Sequence, residues 1–259
     1  MSEHELLGAL EVELLRHAEL HAGRPAHELF QTSTVKALLE GDYDGDVTLA
    51  ELLERGDLGL GTLDGLDGEL IVLDGEAWKA RIDCTLERPE RSARTPYAVV
   101  VPFSPDEPIA LRGPLQESQL EAALGEALTE TLRPTAIRID GRFAELHVRS
   151  VPRQRPPYKP LAEAIEQQHI SVLLDVVGTM VGFCFPDALD GIEMVGAHLH
   201  FIDETRTRGG HVLSYTLLEG TAQLDAATAL HVELPGEVSA PRHGAAFDQG
   251  ALHRLESDR

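Results

Sequence analysis

Basic residues are scarce in this chain of 259 residues: 22 lysines and arginines stand against 44 aspartates and glutamates, a formal charge of −22. A field of that sign repels phosphate backbones and anionic lipid, which argues against nucleic acid or a membrane surface as a partner. It also requires that any anionic substrate be met by a local positive group, either a metal ion or an arginine. Cysteine is nearly absent. Cys84 and Cys184 both lie in apolar runs that read as strands, and two thiols make no disulfide framework, so no oxidising compartment is demanded. No apolar stretch approaches the roughly 20 residues that span a bilayer. The opening Met-Ser-Glu-His-Glu lacks the basic start and apolar core of a secretory signal. The expectation is a soluble, cytoplasmic protein. A nucleotide-binding glycine loop is missing too, because Gly59-x-Gly61 is too short and no convincing helix follows it.

What is present is a chain of ordinary hydrophobic content, 42%, long enough for one large domain or two small ones. Leu6, Leu7, Leu10, Leu14 and Leu15 recur at helical spacing, which predicts an amphipathic helix over 2–22 and a helical extension over 1–27. Ser33 is placed to cap a short helix through Leu39, and Thr48 with Glu51 makes a capping box for a second. From residue 58 the pattern turns to β. A strand over 70–73 runs into Asp74-Gly75, a hairpin signal, and returns over 78–82. Another strand follows over 98–103, then a helix within 113–133. The same hairpin logic over 136–151 places a turn at Asp140-Gly141.

Four prolines between 152 and 160 break the pattern and mark a boundary between a portion over 28–155 and one over 156–259. A short helix over 161–168 precedes strands over 170–177, 180–185, 197–202, 211–218 and 229–234. The expected class is α+β: two β-rich portions of mixed or antiparallel sheet, barrel-like, with a few flanking helices.

The second portion carries the chemistry. In an extended strand alternate side chains share a face, so His198 and His200 point one way and Leu199 the other. The polar run over 203–210 ends in Gly209-Gly210 and reads as a hairpin loop. If Ile202 pairs with His211 across it, His211 joins that face, diagonal to His200. Three imidazoles converging from two neighbouring strands match a catalytic zinc site with an open position. A rival arrangement is the cupin metal motif, in which Glu204 would join the same histidines in a metal oxygenase or isomerase. The second cupin sequence box is absent downstream, which makes Glu204 a solvated loop residue. A metal-stabilised binding module is the third reading.

Three other positions stand out by context. Glu69 opens an apolar strand, where a carboxylate is costly unless exposed, paired or used. Thr62 precedes it in the turn-rich run 59–68 and can orient a neighbour. Arg149 shares a predicted strand face with Glu145 and His147, and its guanidinium suits a planar carboxylate.

The chain resembles the acetolactate decarboxylases. The resemblance is carried in order by Phe30-Gln-Thr-Ser-Thr34, Gly41-Asp-Tyr-Asp-Gly-Asp46, Gly56-Asp-Leu-Gly-Leu-Gly-Thr62 and Gly65-Leu-Asp-Gly-Glu-Leu70. It continues through Arg138-Ile-Asp-Gly141, Arg149-Ser-Val-Pro152, Gly196-Ala-His-Leu-His-Phe201 and Gly209-Gly-His-Val212. It implies a zinc enzyme converting 2-acetolactate to (R)-acetoin and carbon dioxide through a metal-stabilised enediolate, in the branch towards butanediol. Residue by residue it makes His198, His200 and His211 the zinc ligands and Glu69 and Arg149 catalytic. Thr62 becomes a support for that site and Glu256 the C-terminal carboxylate. It further implies a homodimer, and a site formed between the two β-rich portions.

Overall fold

The computed structural model describes residues 11–15, 26–129 and 133–234. In chain order the first strands are β1 (Glu11–Leu15), β2 (Glu28–Thr32), β3 (Val47–Thr48), β4 (Leu58–Thr62) and β5 (Glu69–Leu73). Then come β6 (Glu76–Ala80), β7 (Leu86–Glu87), β8 (Arg94–Thr95), β9 (Tyr97–Val101) and β10 (Ile109–Leu115). The last are β11 (Thr135–Ser150), β12 (His169–Phe185), β13 (Gly196–Asp203), β14 (Gly209–Ala226) and β15 (Ala229–Glu233). Helices α1 (Val35–Leu39), α2 (Leu49–Leu53), α3 (Glu117–Thr129) and α4 (Leu161–Ile165) flank them. Among the described residues no helix is long and apolar enough to cross a membrane.

An eight-stranded sheet runs in the order β1-β15-β2-β9-β4-β5-β6-β7, and a five-stranded sheet in the order β10-β14-β11-β12-β13. In the second, β13 also pairs with β14, so β14, β11, β12 and β13 close into a barrel-like ring. The expected α+β class with mixed and antiparallel sheet is observed. The sheets do not follow the chain's halves. β10 and β11 precede the proline-rich run yet belong to the second sheet, while β15 returns to the first.

Three expectations are corrected. Residues Glu11–Leu15 form a strand, not part of a helix, and pair in parallel with β15 from Glu11↔Ala229 to Leu15↔Glu233. Backbone pairing along an otherwise open sheet edge outweighs the local leucine spacing. The remainder of the expected 2–22 helix lies outside the described residues. Second, Asp140-Gly141 is no turn but the middle of the long strand β11. Gly141 faces Gly178 on β12 and Gly220 on β14, and a Cβ there would sit 2.7 Å from the Glu219 carbonyl oxygen. The glycine serves close strand approach, and pairing on both sides overrides the hairpin signal. For the same reason the two strands expected over 170–185 are one, β12. Third, Thr34 rather than Ser33 caps α1, accepting from the Ala37 N–H at 3.2 Å. The capping box of α2 and the Asp74-Gly75 hairpin, with both residues at positive φ, are as expected.

The core falls in layers that follow strand alternation. On β5, Leu70 and Val72 pack with Leu49 and Leu52 of α2, while Ile71 and Leu73 face the other way. That second face meets Val181, Phe183 and Ile202 of the ring, forming the seam between the sheets. A separate cluster fills the ring's other face, where Phe143 and Phe201 meet edge-to-face at 5.5 Å. Burial on both faces explains why β5 and β9 read as unbroken apolar runs.

Candidate metal centre

His198 and His200 have the strand parity of Ile202, so they look out of the ring into the seam, while Leu199 and Phe201 fill the ring. His211 stands directly opposite His200, and Ile202 pairs with Gly209. The hairpin is thus two residues tighter than expected. A shift of two preserves the face, so the convergence survives the change of register. The three rings lie 5.0–5.3 Å apart between centroids. One nitrogen from each lies within 4.8 Å of the others, and all three residues are buried.

Two features prepare these imidazoles as ligands. His200 Nδ1 is 2.8 Å from the Leu70 carbonyl oxygen, which only accepts, so Nδ1 carries a proton and Nε2 is the nitrogen presented to the site. Burial, aided by the Arg149 charge, holds the His211 pKa well below the usual imidazole value and keeps that ring neutral. Three imidazoles at this spacing fit a divalent cation with coordination positions left for a substrate.

The hairpin loop has its own organiser. Asp203 Oδ1 accepts from the backbone N–H of Thr207 at 2.7 Å and of Arg208 at 2.9 Å. Its Oδ2 accepts from the hydroxyls of Thr205 at 2.5 Å and Thr207 at 3.0 Å. These bonds hold the Asp203 carboxyl below the usual range against the cost of burial. At the far end of the hairpin Gly210 has no room for a side chain: a Cβ would lie 2.5 Å from the Arg149 carbonyl oxygen.

The opposite wall belongs to the first sheet. Tyr97 pairs with Thr62, and Thr62 with Glu69, so three consecutive strands set these residues in one cross-strand row. Glu69 is buried, with Oε2 at 3.7 Å from His200 Nε2. Thr62 Oγ1 donates to the Gly68 carbonyl at 2.8 Å, fastening the turn from which Glu69 emerges. Arg149 sits across from His211 on β11 and is buried, its Nη1 donating to Gln168 Oε1 at 3.3 Å. Leu38, Leu66, Leu161, Ile165 and Met194 complete the cavity with an apolar lining.

The structure therefore brings His198, His200, His211, Glu69, Arg149 and Thr62 to one cavity. Arg149 keeps the expected face of Glu145 and His147, opposite to Leu146 and Val148 in the ring, and is buried because its end of β11 faces the cavity and not solvent. Glu204 is exposed in the hairpin turn and takes no part in the trio, which leaves the cupin arrangement without its carboxylate. Glu256 lies outside the described residues. Sequence reasoning missed Tyr97, Gln168 and Asp203. An aspartate followed by two nearby threonines is a loop-forming signal that was available for Asp203, but nothing local marks Tyr97 or Gln168.

A family model described as alpha-acetolactate decarboxylase matches residues 29–242. The chain belongs to the alpha-acetolactate decarboxylase family. As a member it is an enzyme of the carboxy-lyase class. The alpha-acetolactate decarboxylase of Methylococcus capsulatus is 40% identical over 213 residues, 82% of each chain. That of Bacillus subtilis is 38% identical over 212 residues, 82% of this chain and 83% of its own. A crystal structure of the Bacillus subtilis enzyme superposes with a TM-score of 0.84 at 34% identity, covering 89% of this chain and all of that one.

Proposed function

We propose that this chain converts (S)-2-acetolactate to (R)-acetoin and carbon dioxide with a zinc ion held by His198, His200 and His211. The observation that carries the reading is the buried trio, flanked on its own sheet by the Arg149 guanidinium and faced from the other sheet by the Glu69 carboxylate. The chemistry a divalent ion supplies there when bound is Lewis-acid stabilisation of the charge left as the carboxylate departs. Arg149 binds and orients the substrate carboxylate, offsetting the repulsion expected from a chain of charge −22. Glu69 holds the proton that is delivered to one face of the resulting enediolate, which sets the handedness of the product. Thr62 keeps the Glu69 turn in place. Glu256 is the second carboxylic acid of the site, assigned by the family resemblance. The apolar lining excludes water and receives the methyl groups.

A homodimer is part of the same proposal. Beyond the reach of β13, the segment 169–176 of β12 pairs, among the described residues, on one side only, with β11. Ile170, Val172 and Leu174 alternate along it with 40%, 51% and 68% of their surface exposed. Such a stripe suits burial against a second copy, and light scattering of wild type beside Leu174→Glu tests it.

The test of the activity pairs metal analysis of the purified protein with carbon dioxide release from racemic acetolactate and chiral analysis of the acetoin. Zinc near one equivalent per chain, chelator-sensitive turnover and (R)-product are expected. Full turnover in a metal-free preparation overturns the reading.

A further inference from the structure

Glu193 has no role in the chemistry above, yet its carboxyl is wholly buried beside the cavity. It lies in the turn leading into β13, next to the cavity-lining Met194. One carboxyl oxygen accepts from the Tyr97 hydroxyl, while Oε1 has no partner among the described residues. Burial pushes its pKa up to about 8, against the opposing effect of the Tyr97 hydroxyl and the Met194 backbone N–H. At neutral pH the group is a neutral acid. A buried polar group with half of its bonding capacity unused costs stability, and its one side-chain contact is directed at the substrate cavity's own wall.

The backbone here does not depend on that side chain. The Ile192 carbonyl accepts from Gln31 Nε2 at 3.0 Å and from the Val35 N–H at 3.0 Å, which ties the turn to β2 and α1. Beyond the adjacent Met194 N–H, the Glu193 side chain acts on Tyr97. Tyr97 heads the row that continues through Thr62 to Glu69.

We infer that Glu193 is a positioning residue that holds the Tyr97 hydroxyl and so fixes the Tyr97 ring as the end wall of the substrate cavity. The inference rests on the reading of that cavity as the decarboxylation site. A loosened ring widens the cavity at the end of the row opposite Glu69 and lets the substrate shift before protonation. Both substrate affinity and product handedness then suffer.

The experiment compares Glu193→Ala, Glu193→Gln, Tyr97→Phe and the Glu193→Ala/Tyr97→Phe double variant as full-length, zinc-loaded protein. Measured are kcat, KM for acetolactate, the enantiomeric ratio of acetoin and the zinc content. Glu193→Ala and Tyr97→Phe are each expected to raise KM on the order of 10-fold, the worth of one good hydrogen bond. The enantiomeric ratio falls and zinc content is unchanged. The double variant is no worse than either single one, and the amide of Glu193→Gln, which still bonds the hydroxyl, recovers most of the loss. Wild-type KM and handedness in Glu193→Ala, additive effects in the double variant, or a glutamine as impaired as alanine overturn the inference. Should Glu193→Ala fail to fold, Tyr97→Phe and Glu193→Gln decide alone. A His211→Ala control separates the two readings: full activity there sinks the cavity assignment, and an inactive control leaves only the role of Glu193 at stake.

Discussion

The two walls of the cavity are built in opposite ways. The imidazole wall is one hairpin, with its three histidines inside residues 198–211 and its loop tied by Asp203. The facing wall is assembled from β9, β4 and β5, plus a turn before β13, and no two of its key groups are sequence neighbours. A hairpin makes its geometry from its own backbone, so it tolerates change elsewhere and fails when its loop or ligands change. A wall of separate strands depends on the packing of the whole seam, and its members fail in graded, coupled fashion.

The contrast can be broken most severely at the hairpin. His211→Ala is expected to lose the metal and reduce kcat/KM by about 10³-fold or more, the equivalent of several kcal/mol of charge stabilisation. Zinc content and turnover measured on the same sample check it. Next comes the opposite wall: Glu69→Gln should retain zinc but lose about 10²-fold or more in kcat, as removal of a general acid does. Retained rate and product handedness would remove Glu69 from its role. Asp203→Ala tests whether the hairpin is self-sufficient. With four hydrogen bonds lost, zinc affinity should fall about 10–100-fold, the range for residues that orient metal ligands, as read by competition with a chelator.

A smaller effect distinguishes the walls by pH. The Glu193 carboxyl has a folded pKa of about 8 against an ordinary 4.5, so the folded state keeps a proton that the unfolded state releases. Stability therefore falls as pH rises from about 4.5 to about 8 and levels off above. Glu193→Gln removes that slope. Its melting temperature should exceed wild type by a few degrees at pH 9 and converge with it near pH 5, which calorimetry can follow. The smallest expected change is none: Glu204→Gln, at an exposed turn position, should leave zinc content and activity at wild-type values.

The hairpin was legible because strand alternation is local. His198 and His200 share a face in any extended strand, and a loop of either register that keeps parity returns His211 to them. The two-residue error in that register cost nothing, whereas an error of one would have turned the third imidazole into the ring. Glu69 was marked as a carboxylate opening an apolar strand, to be exposed, paired or used, and the structure buries it beside His200. Asp140-Gly141 is no turn, and Arg149, though on its expected face, is buried, for a shared reason. The continuity of β11 and the cover over its end depend on partners on both sides, which cannot be read from β11 alone.

By itself the amino-acid order determined most of the strand content, the capping box of α2, the imidazole trio and the family words that led to the activity. Those features arise from contacts within a few residues along the chain, where spacing translates directly into geometry. Only the tertiary structure decided that the trio faces the seam and not the interior of the ring, that Glu11–Leu15 pairs as a strand, and that Tyr97 and Glu193 meet across 96 positions. Pairing between distant strands is chosen by the summed burial and hydrogen bonding of two whole sheets, and no local stretch of sequence contains that sum.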